Sequence, residues 1–419
     1  MIIPSNDLQH QAGERPDAIA FYAGDQVYSY RRMSLEVERF ARMFRARGVR
    51  PGDRIALHMT NVPELIIAYF ACFSIGAIAV PLNLRLKAAE LRSILQRLQP
   101  VLYLGQARSY LEVIAIEPGI LAYDARFVID RTVENAGARP WAEVTGDIEA
   151  SATHRVTDVD APAALLWTSG TTGEPKFVVH TARTLAATAA AYEQYGIGPH
   201  EIVVITLPMT HAGGFAAQLA AIHFGSTMVL IDHFDADIVL DAIERHKCTW
   251  LAAFPFMYVA LLQRQRDVAR DTSTLRYCAT SSDVCPPQLQ REFAGTFGLP
   301  LRSFWGATEV VDALSFGLEI GPVSRIVPGT EIAIIDDAGK PVRRGEIGEL
   351  LIRAASVFVG YWAGPDRISD APPHGWYHAP QRFKVVYAFP RNGLEKIDRE
   401  FLSAFGLLMF NASLDPEDI

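Results

Sequence analysis

Apolar runs alternate with amphipathic stretches for most of the chain. Strand candidates are Arg54–Met59, Ala161–Trp167, Glu201–Thr206, Thr227–Ile231, Thr249–Phe254 and Leu301–Phe304. Between them, apolar residues recur at helical spacing in Leu35–Arg47, Ala89–Leu98, Ala236–His246 and Pro287–Phe297. This alternation predicts an α/β protein with largely parallel sheets, and no repeat of fixed period is present. After about Val323 the pattern changes to short strands with turn signals, which predicts a β-rich part with a hairpin turn at Asp336–Lys340. The Pro-, Gly- and Asp-rich stretch Gly364–Pro380 reads as a linker or surface loop. The roughly forty residues beyond it are too few to promise an independent domain.

One apolar run raises the question of a membrane. Leu65 to Leu84 carries no formal charge and is long enough to cross a bilayer. Gly76 and Pro81 interrupt it, and Ser74 and Asn83 dilute it, so it reads as a buried helix over about 63–75 running into a core strand. Half of the 419 residues are hydrophobic and 21% are charged, which supports a large core, two to four domains or subdomains, and no bulk disorder. The net charge is −8 (39 basic against 47 acidic residues), which argues against nucleic acid as the main partner. The four cysteines, Cys72, Cys248, Cys278 and Cys285, form no CxxC pair. With an N-terminus that lacks a signal-peptide pattern, they predict a reducing, cytoplasmic setting.

The sharpest chemical signal is Leu165–Val178, LLWTSGTTGEPKFV. A strand leads into Thr168, Ser169, Gly170, Thr171, Thr172 and Gly173, and Lys176 comes three residues later. Glycines let the backbone approach an anion, hydroxyls and N–H groups donate to it, and the lysine adds charge, as a phosphate cradle requires. This is not a Walker A loop, because Pro175 stands where the glycine before the lysine would be and Phe177 where the Ser/Thr after it would be.

Thr168–Lys176, TSGTTGEPK, resembles the signature loop of the adenylate-forming (AMP-binding) superfamily, which includes acyl- and aryl-CoA ligases, peptide-synthetase adenylation domains and luciferases. Pro208–Gly213 (PMTHAG), Phe304–Glu309 (FWGATE), Gly348–Trp362 (GELLIRAASVFVGYW) and Gly375–His378 (GWYH) resemble its later motifs, in order and at similar spacing. The resemblance covers about residues 5–378. It implies a large N-terminal domain, residues 1–378, built of two stacked α/β subdomains and a distorted β-barrel subdomain. It also implies ATP-dependent activation of a carboxylic acid to an acyl-adenylate, in an acyl- or aryl-CoA ligase lineage, with Mg²⁺ and with CoA or a carrier-protein thiol as acceptor.

The same resemblance implies roles for residues. The 168–176 loop grips the β- and γ-phosphates, and Thr168 also belongs to the catalytic set. Glu309 helps hold Mg²⁺, a hard cation suited to oxygen ligands, and counts as catalytic. Thr308 lies against phosphate, Trp305 stacks on adenine, and Gly306 and Ala307 complete that motif. His211, Gly213, Phe215, Phe254 and Val310 line the acyl pocket, Val311 beside it. Ser281–Cys285 (SSDVC) takes the place of a glycine-rich stretch that contacts adenine and acyl group, which puts Ser282 and Asp283 at the nucleotide.

The pattern departs from the family after His378. Ala379, Pro380 and Gln381 replace the string whose aspartate holds the ribose, and most of the small C-terminal domain is missing. Residues 379–419 resemble only its end, with Lys396 at the place of the catalytic lysine. Nucleotide binding, feeble adenylation and little or no CoA thioester formation are the expectation. The alternatives are a truncated relative that only binds ATP or an acyl ligand, and an amino- or β-amino-acid adenylating protein, for which Asp283 and Asp312 offer carboxylates.

Overall fold

The computed structural model describes residues 4–114, 116, 120–129, 138–141, 158–168, 176–283, 285–311, 315–317, 320, 323–343, 346–364, 367–369, 372, 375–384 and 409–410. The strands form three sheets. In the largest, Thr227–Leu230, Ile202–Ile205, Trp250–Ala252, Tyr277–Thr280 and Leu301–Trp305 lie side by side and parallel. The hairpin Ile19–Ala23/Gln26–Ser29 flanks one side of these strands, and Ser315–Gly317, Val323–Ile326 and Met409–Phe410 flank the other. The second sheet has Ile78–Pro81, Arg54–His58, Leu102–Gly105 and Arg126–Val128 in parallel. It also carries the antiparallel pair Pro162–Thr168 and Lys176–Thr181, then Gly360–Gly364. The third sheet is the antiparallel trio Glu331–Ile335, Ile347–Arg353 and Tyr377–Lys384.

Side-chain alternation divides the core. Ile55 and Leu57 join Val203, Ile205, Met228 and Leu230 in one cluster shared by both large sheets. Ala56 belongs to a separate cluster on the outer face of the second sheet, and Val204 and Val229 to one on the outer face of the first. A period of two along each strand produces this division. Helices Pro63–Ile75 and Ala212–Phe224 are buried along nearly their whole length, as helices between two layers must be. Pro63 at the start and a left-handed Gly76 at the end bound the first of them. Among the described residues no helix is long and apolar enough to cross a membrane.

Helices Ala236–His246 and Pro287–Phe297 have the bounds their periodicity predicts, and Leu35–Arg47 overlaps Tyr30–Ala46, which Ser29 caps through the Arg32 N–H. Asp336–Lys340 is a turn, with Gly339 at φ 75°. The 364–380 stretch differs from the expected loop, since it contributes the strand Arg367–Ser369 and the start of Tyr377–Lys384. Among the described residues, Pro372 and Gly375 lie between these strands, whereas Pro380 lies inside the second of them. Tyr377–Lys384 also runs unbroken across the expected boundary at 378/379.

Two buried polar side chains meet specific partners, Asn61 between the two large sheets and His58 within the second sheet. The Asn61 side chain donates to the Ile205 and Leu207 carbonyls at 3.3 and 3.0 Å and accepts from the Met209 N–H at 2.7 Å. Replacement by alanine removes the partner of the Leu207 carbonyl and of the Met209 N–H, while the Ile205 carbonyl keeps the Ile231 N–H at 3.2 Å, and we expect Asn61→Ala to lower stability by about 2 kcal/mol in urea unfolding. His58 is fully buried, with Nδ1 3.0 Å from the Tyr103 hydroxyl and Nε2 3.3 Å from the Asn83 carbonyl oxygen. Burial lowers its pKa to about 4. Because the folded value lies below the unfolded one, this contribution to stability is complete above about pH 6.5 and is lost as pH falls toward 4. The urea midpoint should fall over that window in wild type, and less steeply in His58→Gln.

Candidate active site

Four of the predicted segments leave the carboxyl ends of neighbouring parallel strands. Ile202–Ile205 leads to His211, Trp250–Ala252 to Phe254, Tyr277–Thr280 to Ser282 and Asp283, and Leu301–Trp305 to Glu309. The register aligns Ile205 with Ala252, Leu251 with Cys278, and Thr280 with Ser303, so these segments emerge along one edge of the sheet. This edge is where open α/β sheets bind ligands. Asn61 and the Tyr69 hydroxyl, which donates to the Met209 carbonyl at 2.9 Å, hold the 205–209 segment in place.

The second sheet brings in the other half of the site. Thr168 and Lys176 are paired across the antiparallel strands Pro162–Thr168 and Lys176–Thr181. The 169–175 loop therefore connects two strands, whereas a Walker A loop leads into a helix. Ser169, Gly170, Thr171, Thr172 and Gly173 lie outside the described residues, as does Lys396. Lys176 Nζ sits 4.6 Å above the ring centroid of Tyr361, a cation–π contact. The Tyr361 hydroxyl donates to Glu309 Oε1 at 2.8 Å. One tyrosine thus bridges the lysine of the phosphate loop and the acid of the FWGATE motif.

Glu309 sits in the short 3-10 turn Thr308–Val310 and is only 8% exposed. Its backbone carbonyl accepts from the Phe358 N–H at 2.8 Å. Val310 is fully buried in a cluster with Val178, Phe358 and Tyr377, against which Trp305 and Ala307 pack. Burial, and after it the Glu309 charge, push the Tyr377 phenol pKa up. Among the described residues there is no group of three or more His, Cys, Asp or Glu side chains able to hold a metal. A single carboxylate that shares its site with phosphates is a donor set that suits Mg²⁺, which keeps waters and binds few protein oxygens.

The remaining predicted residues form a second group. His211 caps helix Ala212–Phe224, its Nδ1 accepting from the Gly213 N–H at 3.5 Å, and its ring lies edge-on to Phe254 at 6.0 Å. The imidazole is open to solvent, yet enough protein surrounds it for desolvation to lower its pKa, as in a cleft wall. Gly213 is buried. Phe215 is fully buried against Tyr69 and Phe73, at 5.0 and 6.5 Å between ring centroids. Trp305 is half-buried at the end of its strand, and its backbone amide N–H donates to Ser315 Oγ at 3.4 Å. Gly306, Ala307 and Thr308 are half-buried, while Ser282 and Asp283 are exposed.

Sequence reading missed Tyr361, Tyr377 and His180, although GYW and GWYH contain two of them. Ser282 has φ 69°, in the left-handed region that favours glycine. Val311, a β-branched residue, has φ 46° just after Glu309. The backbone at 282 thus keeps a conformation suited to the glycine that the resemblance places there. Ser282→Gly should raise stability by about 0.5–1 kcal/mol in urea unfolding, and no gain would contradict strain at this position.

A two-sheet α/β fold that gathers Lys176, a buried acid and aromatic rings where the sheets meet suits an enzyme acting on an anionic substrate. The chain belongs to the family of AMP-binding enzymes, whose model matches residues 8–362. It is 29% identical over 382 residues to an indoleacetate–CoA ligase from Aromatoleum aromaticum, covering 88% of this chain and 74% of that protein. It is also 29% identical over 388 residues to a medium-chain fatty-acid–CoA ligase from Escherichia coli, covering 88% and 68%. Its fold resembles the inhibitor-bound N-terminal domain of FACL13 from Mycobacterium tuberculosis, with TM-score 0.80, 24% identity, and coverage of 91% and 96%. It also resembles an anthranilate CoA ligase in complex with anthranoyl-AMP, with TM-score 0.82, 23% identity, and coverage of 92% and 76%.

Proposed function

We propose that this protein activates an apolar or aryl carboxylic acid with ATP, forming an acyl-adenylate for transfer to CoA or a carrier-protein thiol. The Lys176–Tyr361–Glu309 arrangement carries this reading, because it sets a phosphate-directed cation beside a carboxylate suited to Mg²⁺. In the reaction a carboxylate oxygen of the acid attacks the α-phosphorus, and the bond to the leaving pyrophosphate breaks. Two anions must meet for this to occur, so the site has to supply positive charge and fixed donors. Lys176 and the 168–176 loop take the phosphates, with Thr168 at the loop's start. Glu309, fixed by Tyr361, offers its carboxylate to Mg²⁺, which would neutralise phosphate charge when bound. Thr308 faces phosphate, and Trp305 takes the adenine with Gly306 and Ala307 beside it.

His211 and Phe254 form the wall toward the acid, with Gly213, Phe215 and Val310 behind them. No Asp or Glu falls within Pro208–Phe215, so this wall offers no carboxylate to pair with a substrate ammonium. Indoleacetate, a medium-chain fatty acid and hydroxybenzoates are the acids named for three of the curated relatives, while others are named for sulfoacetate and for crotonobetaine or carnitine. The described cysteines are all free thiols, three of them buried, which fits a reducing cytoplasm.

Pyrophosphate exchange into ATP tests the adenylation half-reaction without any thiol. Exchange should depend on an aryl or medium-chain acid and should fall about 100-fold in Lys176→Ala. Exchange driven only by amino acids would overturn the proposed acid class. No exchange with any acid, despite ATP binding, would overturn the enzyme reading.

A further inference from the structure

The strand after the phosphate loop presents Lys176, Val178 and His180 on one face, since every second residue of a strand points the same way. All three meet the turn that carries Glu309. Lys176 reaches it across Tyr361, and Val178 packs with Val310. His180, fully buried, puts Nε2 2.8 Å from the Thr308 carbonyl oxygen. A carbonyl only accepts, so Nε2 carries the proton and Nδ1 faces the Thr184 hydroxyl at 3.2 Å. Burial lowers the His180 pKa to about 4, which keeps the ring neutral near pH 7. The Thr308 carbonyl also accepts from the Val311 N–H at 3.2 Å, and it belongs to the first residue of the turn.

We propose that His180 is a positioning residue for acyl activation: by holding the Thr308 carbonyl it fixes the turn that aims the Glu309 carboxylate, and so couples the phosphate-loop strand to Mg²⁺. This rests on the proposed role of Glu309 as a metal ligand. Fixed by His180 below, Phe358 alongside and Tyr361 at the carboxylate, the acid is already oriented when Mg·ATP arrives. Without the imidazole donor the turn loses its direct hydrogen bond to the strand, although Glu309 itself is unchanged.

The test compares ATP affinity with and without Mg²⁺, by calorimetry, in wild type, His180→Gln, His180→Asn and His180→Leu, with melting temperatures alongside. Gln can place an N–H where Nε2 stands, whereas Asn is too short and Leu has no donor. We expect Mg²⁺ to improve ATP affinity about tenfold less in the Asn and Leu variants, with Gln close to wild type and metal-free ATP affinity unchanged in all. A merely structural role would lower the melting temperature without singling out the Mg²⁺-dependent part. Should the Leu variant fail to fold, the Gln–Asn contrast decides. Equal Mg²⁺ dependence in those two overturns the assignment. Wild type that binds no ATP would overturn the acyl-activation reading and this assignment with it, whereas unchanged variants of an ATP-binding wild type would remove this assignment alone.

Discussion

The fold depends on two largely parallel sheets that share a single apolar layer. A parallel sheet buries both faces, so each large sheet needs helices on either side. Here the inner coverings are common to both, and Pro63–Ile75 and Ala212–Phe224 have become apolar nearly all round as a result. Sharing a layer fixes the distance between the sheets. The carboxyl ends of one set of strands then stand opposite the antiparallel strands of the other. Across this junction Glu309 of the first sheet's strand ends meets Tyr361 of the second sheet, with Lys176 over the Tyr361 ring.

Several polar groups buried at this junction are met by specific partners. Asn61 serves three backbone groups of the segment that leads to His211. His180 does the same for the turn that leads to Glu309. The buried hydrogen bonds that stabilise the layer contact therefore also set the positions of the two chemically active segments. Geometry of this kind reduces the reorganisation that a charged transition state would otherwise require.

Much of the architecture was legible in the sequence because local patterns encoded it. Ala236–His246 and Pro287–Phe297 stood out by their amphipathic spacing, and the parallel strands by their apolar runs. The strand Lys176–Thr181 was hidden in a motif read for its chemistry. The strands within 364–380 were hidden by the composition of the turns that separate them. The acid and aromatics of FWGATE were legible as a motif, but their supports were not. Tyr361 meets Glu309 across 52 positions and His180 meets Thr308 across 128. No local propensity or period marks a contact of that range, which exists only once both sheets are assembled.

Residues 169–175 connect two antiparallel strands paired at Thr168 and Lys176. In strand–loop–helix nucleotide sites, the loop also begins a helix, so altering it disturbs a cap, a dipole and a packed face together. A loop between two paired strands carries no such burden, and changing its length costs little, about 0.6 kcal/mol per doubling. Changes between Thr168 and Lys176 therefore come at small risk to folding, while the paired strands beneath preserve the frame.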